Sequence, residues 1–171
     1  MQKFDVKQLT LAAAVAALYA VLSYFGSIFG LTYGPIQFRF AEALCVLPFL
    51  FPATAPGLFV GCLIANLLSP YGLIDVVCGS AATLIAAVLT TKVPSKWLAP
   101  IPAVLSNGII VGAMLAWYEA GFGPGFAAMF AYNGITVAIG ELGACYVLGM
   151  VLLTALPKIK YFQPMLAKAR C

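Results

Sequence analysis

Long apolar runs separated by short turn-rich or basic segments organise this chain. From Leu9 to Leu31 there are 23 residues without a charge, longer than the 7 to 15 apolar residues of a signal-peptide core, so the run predicts a retained membrane helix over about 8–29. A further 32 uncharged residues extend from Ala43 to Ile74, interrupted by Pro48, Pro52 and Pro56. A bilayer core of about 30 Å is crossed by roughly 20 helical residues, so this stretch predicts two short helices, about 39–51 and 56–68. Pro56 then falls in the first turn of the second, where a missing N–H costs nothing. Helices over about 73–91, 97–118 and 128–156 follow, set apart by Ser69-Pro70-Tyr71-Gly72, by Lys92 to Lys96 with Pro94, and by Gly121 to Gly125. The expected architecture is one all-α integral membrane domain over residues 1–171, with six transmembrane helices.

Composition agrees with a membrane setting. The chain is 64% hydrophobic and 8% charged, with a mean hydropathy of +1.06, whereas roughly a quarter of a soluble domain's residues are charged. The net charge of +4 comes from cations at Lys3 and Lys7, Lys92 and Lys96, and Lys158, Lys160, Lys168 and Arg170. Lys and Arg beside helix ends mark the cytoplasmic side. Six helices put both termini and the fourth-to-fifth loop there, so eight of nine cations conform.

Arg39 is the ninth, among Phe38, Phe40, Ala43 and Leu44. A charge near the bilayer centre costs roughly 2.5 to 3.5 kcal/mol on insertion scales. Glu42, three positions on, shares a helical face with it, so the pair is expected to neutralise itself. Arg39 then holds the outer loop and second helix at the rim of a pocket.

The absent motifs narrow the chemistry. The chain has no histidine, which removes the commonest general base and metal ligand, and no phosphate-binding G-x-x-x-x-G-K-[ST] loop. Cys45, Cys62, Cys78, Cys145 and Cys171 form no C-x-x-C pair, so they are read as packing residues. No catalytic residue, metal or cofactor is expected. The remaining polar set is Arg39, Glu42, Asn66, Asp75, Asn107, Glu119, Tyr132, Asn133 and Glu141. Ionisable groups within membrane helices face cavities and mark substrate or ion paths. Asn133 and Glu141 are eight residues apart, about 80° around the axis and about 12 Å along it, so both can border one cavity. With Arg39 assigned to Glu42, the acids Asp75, Glu119 and Glu141 suit a ligand that donates hydrogen bonds or carries positive charge. Small residues four apart, Ala12/Ala16/Ala20, Ala13/Ala17, Gly57/Gly61/Ala65 and Gly108/Gly112, predict close helix contacts inside the subunit or with a partner. Three readings remain open: a substrate-binding subunit, an intramembrane enzyme using Glu141 and Asp75, and a structural subunit with no ligand.

Specific segments add a resemblance. Gly34-Pro35-Ile36-Gln37-Phe38-Arg39-Phe40-Ala41-Glu42-Ala43-Leu44, Leu47-Pro48, Gly61-Cys62-Leu63-Ile64-Ala65-Asn66, Asp75-Val76-Val77-Cys78-Gly79-Ser80-Ala81-Ala82-Thr83-Leu84 and Gly140-Glu141 together resemble the QueT family. These are substrate-binding S components of energy-coupling factor (ECF) transporters. Phe40 and Ala41 stand where relatives more often carry Ile and Ser. The resemblance implies a six-helix S-component bundle in a prokaryotic cell membrane and uptake of a queuosine precursor such as 7-aminomethyl-7-deazaguanine or queuine. It implies a module of two cytoplasmic ATPases and a membrane coupling subunit, the latter meeting Ala12, Ala13, Ala16 and Ala17. It further implies that the subunit topples in the membrane to present its site. A deazaguanine offers N1–H and an amine to a carboxylate and a carbonyl to an amide. Glu141 or Asp75 is expected to read that edge, supported by Asn66, Asn107 and Asn133, with Tyr33, Tyr71, Tyr132 or Phe38 stacking on the ring. An S component for another small vitamin or nucleobase is the alternative.

Overall fold

The first apolar run forms α1, Val6–Ile28, about 34 Å long at 1.5 Å per residue. Gly30, at φ 68°, takes the chain out of the helix in a conformation that only glycine adopts freely. A computed structural model describes residues 5–30 and 38–166. Tyr33, Pro35 and Gln37, together with Lys3, Lys168, Arg170 and Cys171, lie outside the described residues.

The segment expected as a second helix is a 3₁₀ helix, Phe40–Phe49. Its ten residues are many for a class that seldom exceeds three or four. Pro48 lies inside it and cannot donate the α-helical bond to Leu44. A 3₁₀ turn, Pro52–Thr54, leads to α2, Ala55–Asn66. Then come α3, Leu73–Thr90, and α4, Ile101–Ala120, the latter preceded by a 3₁₀ turn at Lys96–Leu98. The last expected helix is not uniform. It consists of α5, Phe126–Gly143, a π-helical turn at Ala144–Gly149, and α6, Met150–Ala155.

Among the described residues four stretches are long and apolar enough to cross a membrane: Val6–Ile28, Leu73–Thr90, Lys96–Ala120 and Phe126–Lys158. Phe40–Phe49 and Pro52–Asn66 are shorter. The two segments expected as short helices, divided by the prolines of the Ala43–Ile74 run, are thus the two short apolar elements, and the other four expected helices supply the stretches of spanning length among the described residues.

Small residues set the closest contacts. A Cβ at Gly57 would stand 2.2 Å from the Ala12 carbonyl oxygen, and one at Gly61 2.6 Å from that of Ala16, so α1 and α2 run side by side in the same direction. The chain between them returns as the 3₁₀ helix. A Cβ at Gly112 would stand 2.7 Å from Gly134 Cα, while one at Gly108 would stand 3.4 Å from Ala138 Cβ, which makes α4 and α5 antiparallel. The expected glycine contact is therefore within the subunit. The 3₁₀ helix occupies the centre: Leu44, Leu47 and Leu50 are buried with Val15 and Tyr19 of α1, Leu58 of α2 and Leu153 of α6.

Candidate functional site

A 3₁₀ helix repeats every three residues, so Arg39, Glu42 and Cys45 stand in one row. The row's first member does not pair as expected. Arg39 Nη2 is 3.5 Å from Asp75 Oδ2, with the two side chains 8% and 1% exposed. The pairing crosses to the start of α3 because Glu42 is engaged elsewhere. Asp75 Oδ2 also accepts from Ser69 Oγ at 2.6 Å. Asn66 Nδ2 donates to the Asp75 carbonyl at 3.1 Å and lies 3.4 Å from Cys62 Sγ, so this amide ties the end of α2 to α3. Among the described residues Asp75 Oδ1 has no hydrogen-bond partner. A Cβ at Gly79 would come within 2.8 Å of that oxygen and 2.6 Å of Asn66 Nδ2; the glycine keeps the space between them.

Glu42 centres a second group. The Tyr19 hydroxyl of α1 donates to its Oε1, and Cys45 Sγ lies 2.9 Å from Oε2. Asn107 of α4 donates to Glu141 Oε1 of α5 at 2.7 Å and reaches Glu42 Oε2 at 3.5 Å, so one amide serves two carboxylates. Cys145 Sγ is 3.2 Å from the Glu42 carbonyl oxygen and 3.8 Å from Glu141 Oε2. Glu42 and Glu141 are 1% and 5% exposed, and burial at that level requires such donors. The π turn begins three residues after Glu141. Turns of this kind recur at functional sites, and here it brings Cys145 beneath both acids. Phe38 lies over Gly143, where a Cβ would be 2.8 Å from its ring.

The other expected residues are not drawn into these groups. Asn133 Nδ2 donates to Glu119 Oε2 at 2.8 Å, which links the end of α4 to α5. Tyr132 is 56% exposed and stands outside both groups. Tyr71 packs edge-on to Tyr118, with ring centroids 5.2 Å apart. Partial burial, and after it the nearby Glu119 and Asp75 carboxylates, push the Tyr71 phenol above its ordinary range. Sequence reasoning missed Tyr19, Cys45, Ser69 and Cys145. Cys45 and Cys145 follow Glu42 and Glu141 by three and four residues, a spacing that could have flagged them; Tyr19 carries no comparable signal.

A family model described as QueT transporter matches residues 9–158. The chain belongs to the QueT transporter family. The motif resemblance is thereby borne out, and all of the residues in both polar groups fall inside the QueT match. The chain is 35% identical over 85 residues to the queuosine precursor transporter QueT of Lactococcus lactis subsp. cremoris (strain MG1363), an alignment covering 50% of each. It thus spans about half the length of that curated relative in alignment. No solved structure matches the chain. QueT membership and four helices of spanning length make this a multi-pass membrane protein with a transporter role.

Proposed function

We propose that the chain is the substrate-capturing membrane subunit of an ECF-type importer for a queuosine precursor. The substrate is a 7-deazaguanine, such as the aminomethyl base or queuine. The observation that carries this reading is the pair of buried acids sharing the Asn107 amide, together with a buried Asp75 oxygen that has no partner among the described residues. Carboxylates accept the paired N–H groups of a guanine-like edge. Glu141 and Asp75 are the readers, and the Asn107 amide, released from Glu141, donates to the ring carbonyl. Asn66 keeps Asp75 in place, and Asn133 with Glu119 shapes the rim. Arg39 orients Asp75 through their contact. ATP hydrolysis belongs to separate cytoplasmic subunits, and Ala13 and Ala17 of α1, both exposed, belong to the surface for the coupling subunit. Ala12 and Ala16 are buried against α2 and drop out of that surface.

The test is equilibrium binding of 7-aminomethyl-7-deazaguanine and queuine to the purified chain. Saturable binding is expected, weakened in Glu141→Gln and Asn107→Ala with the fold retained. Tight binding of an unrelated vitamin in its place would overturn the substrate. Unimpaired binding by both variants would overturn the site.

A further inference from the structure

An apolar groove lies at the end of the bundle opposite Asp75, where α3 gives way to α4. It encloses about 410 Å³ and is lined by Leu89, Lys92, Val93, Leu98, Ile101 and Leu105. Leu89, Leu98 and Leu105 are exposed, and the two spanning stretches Leu73–Thr90 and Lys96–Ala120 end and begin here. The groove therefore opens at the edge of the hydrocarbon layer. Lys92 and Lys96 are exposed in the connecting loop, and among the described residues neither pairs with a carboxylate. Lys96 Nζ is 5.6 Å from the centroid of the Trp97 ring, and Trp97 is 62% exposed. Tryptophan beside lysine is the composition of a headgroup-level belt. The loop is held in place, since the Tyr146 hydroxyl donates to the Trp97 carbonyl at 2.9 Å.

We propose that this groove binds an anionic phospholipid, with an acyl chain against Leu89, Ile101 and Leu105 and its phosphate on Lys92 and Lys96. An apolar trough with cations at its mouth matches an amphiphile with a negative head. A partner helix is a poorer match, because helices in membranes approach over small residues and this trough is walled by leucine, isoleucine, valine and proline, with no glycine, alanine or serine in its lining. The inference stands independently of the substrate reading.

The test uses the full chain in phosphatidylcholine nanodiscs containing phosphatidylglycerol, with retained lipid identified by native mass spectrometry after gentle extraction. Phosphatidylglycerol is expected to be retained preferentially, and Lys92→Gln and Lys96→Gln to lower that preference about fivefold for each lysine. Lys158→Gln with Lys160→Gln, at the same end of the molecule, is expected to leave it unchanged. Leu105→Trp fills the groove and is expected to release bound lipid; should it fail to fold, Leu105→Phe carries the same arm. Equal losses in both lysine pairs would overturn the proposal in favour of diffuse surface charge. Displacement of the lipid by inorganic phosphate, unaffected by Leu105→Trp, would reduce the site to a phosphate site and overturn the groove. No lipid preference, with Leu105→Trp losing association with partner subunits, would assign the groove to a protein segment.

Discussion

Arg39 and Asp75 are separated by 36 residues yet form the ion pair at the centre of the polar group. Removing one member of a buried pair leaves the other charge poorly compensated, typically at a cost of about 3 to 5 kcal/mol. Asp75→Asn is therefore expected to lower the thermal unfolding midpoint in detergent strongly, and Arg39→Met combined with Asp75→Leu to recover part of the loss. Additive losses in the double variant would count against the pairing. Tyr71 gives a pH signature of its own. Its phenol stays protonated to higher pH in the folded chain than the value near 10 of an unfolded one. The folded state then binds more protons than the unfolded state above about pH 10, so stability falls as pH rises from there and levels off past the folded value. Unfolding followed from pH 8 to 12 should show this extra loss in the wild type and not in Tyr71→Phe; identical profiles would refute it. Which acid meets Arg39 was not legible in the sequence. Glu42 is near in sequence, but Tyr19, Cys45 and Asn107 already occupy it, and only tertiary structure brings those donors together.

Among the helices, the long runs were legible because length and uninterrupted apolarity decide them: α1 and α3 fall close to their expected limits. Element type was less legible. Pro48 marked a disturbance near residues 39–51, but a proline permits a kink, a break or a 3₁₀ helix alike, and the choice follows from burial of Ala41 to Phe49 among α1, α3 and the π turn. The π turn after Glu141 had no proline or glycine signature distinguishing it from the glycines around it. The α4–α5 contact provides a sharp test. A Cβ at Gly112 would lie 2.7 Å from backbone Gly134 Cα, whereas one at Gly125 would meet Ala120 Cβ at an ordinary 3.7 Å. Gly112→Ala is expected to cost about 1 to 3 kcal/mol through overpacking, with Gly125→Ala closer to neutral. Unfolding of the two variants in detergent measures the difference, and equal stabilities would argue that α4 and α5 separate freely.

For the whole molecule, the α1 stripe divides by neighbour. Ala16→Trp would drive an indole into α2 and is expected to reduce the yield of folded protein. Ala13→Trp, on the exposed side, is expected to preserve ligand binding and abolish uptake in cells with the complete transporter. Normal uptake by a stably inserted Ala13→Trp chain would remove α1 from the coupling surface. The central position of the 3₁₀ helix also bears on biogenesis. As the chain emerges from the ribosome, Arg39 has no Asp75 until α3 begins, and Glu42 waits 65 residues for Asn107. Glu141, which shares that amide, comes later still. The most polar part of the core is synthesised early and enclosed late, so the nascent chain must keep this segment near the interface or within the insertion machinery until α4 and α5 arrive.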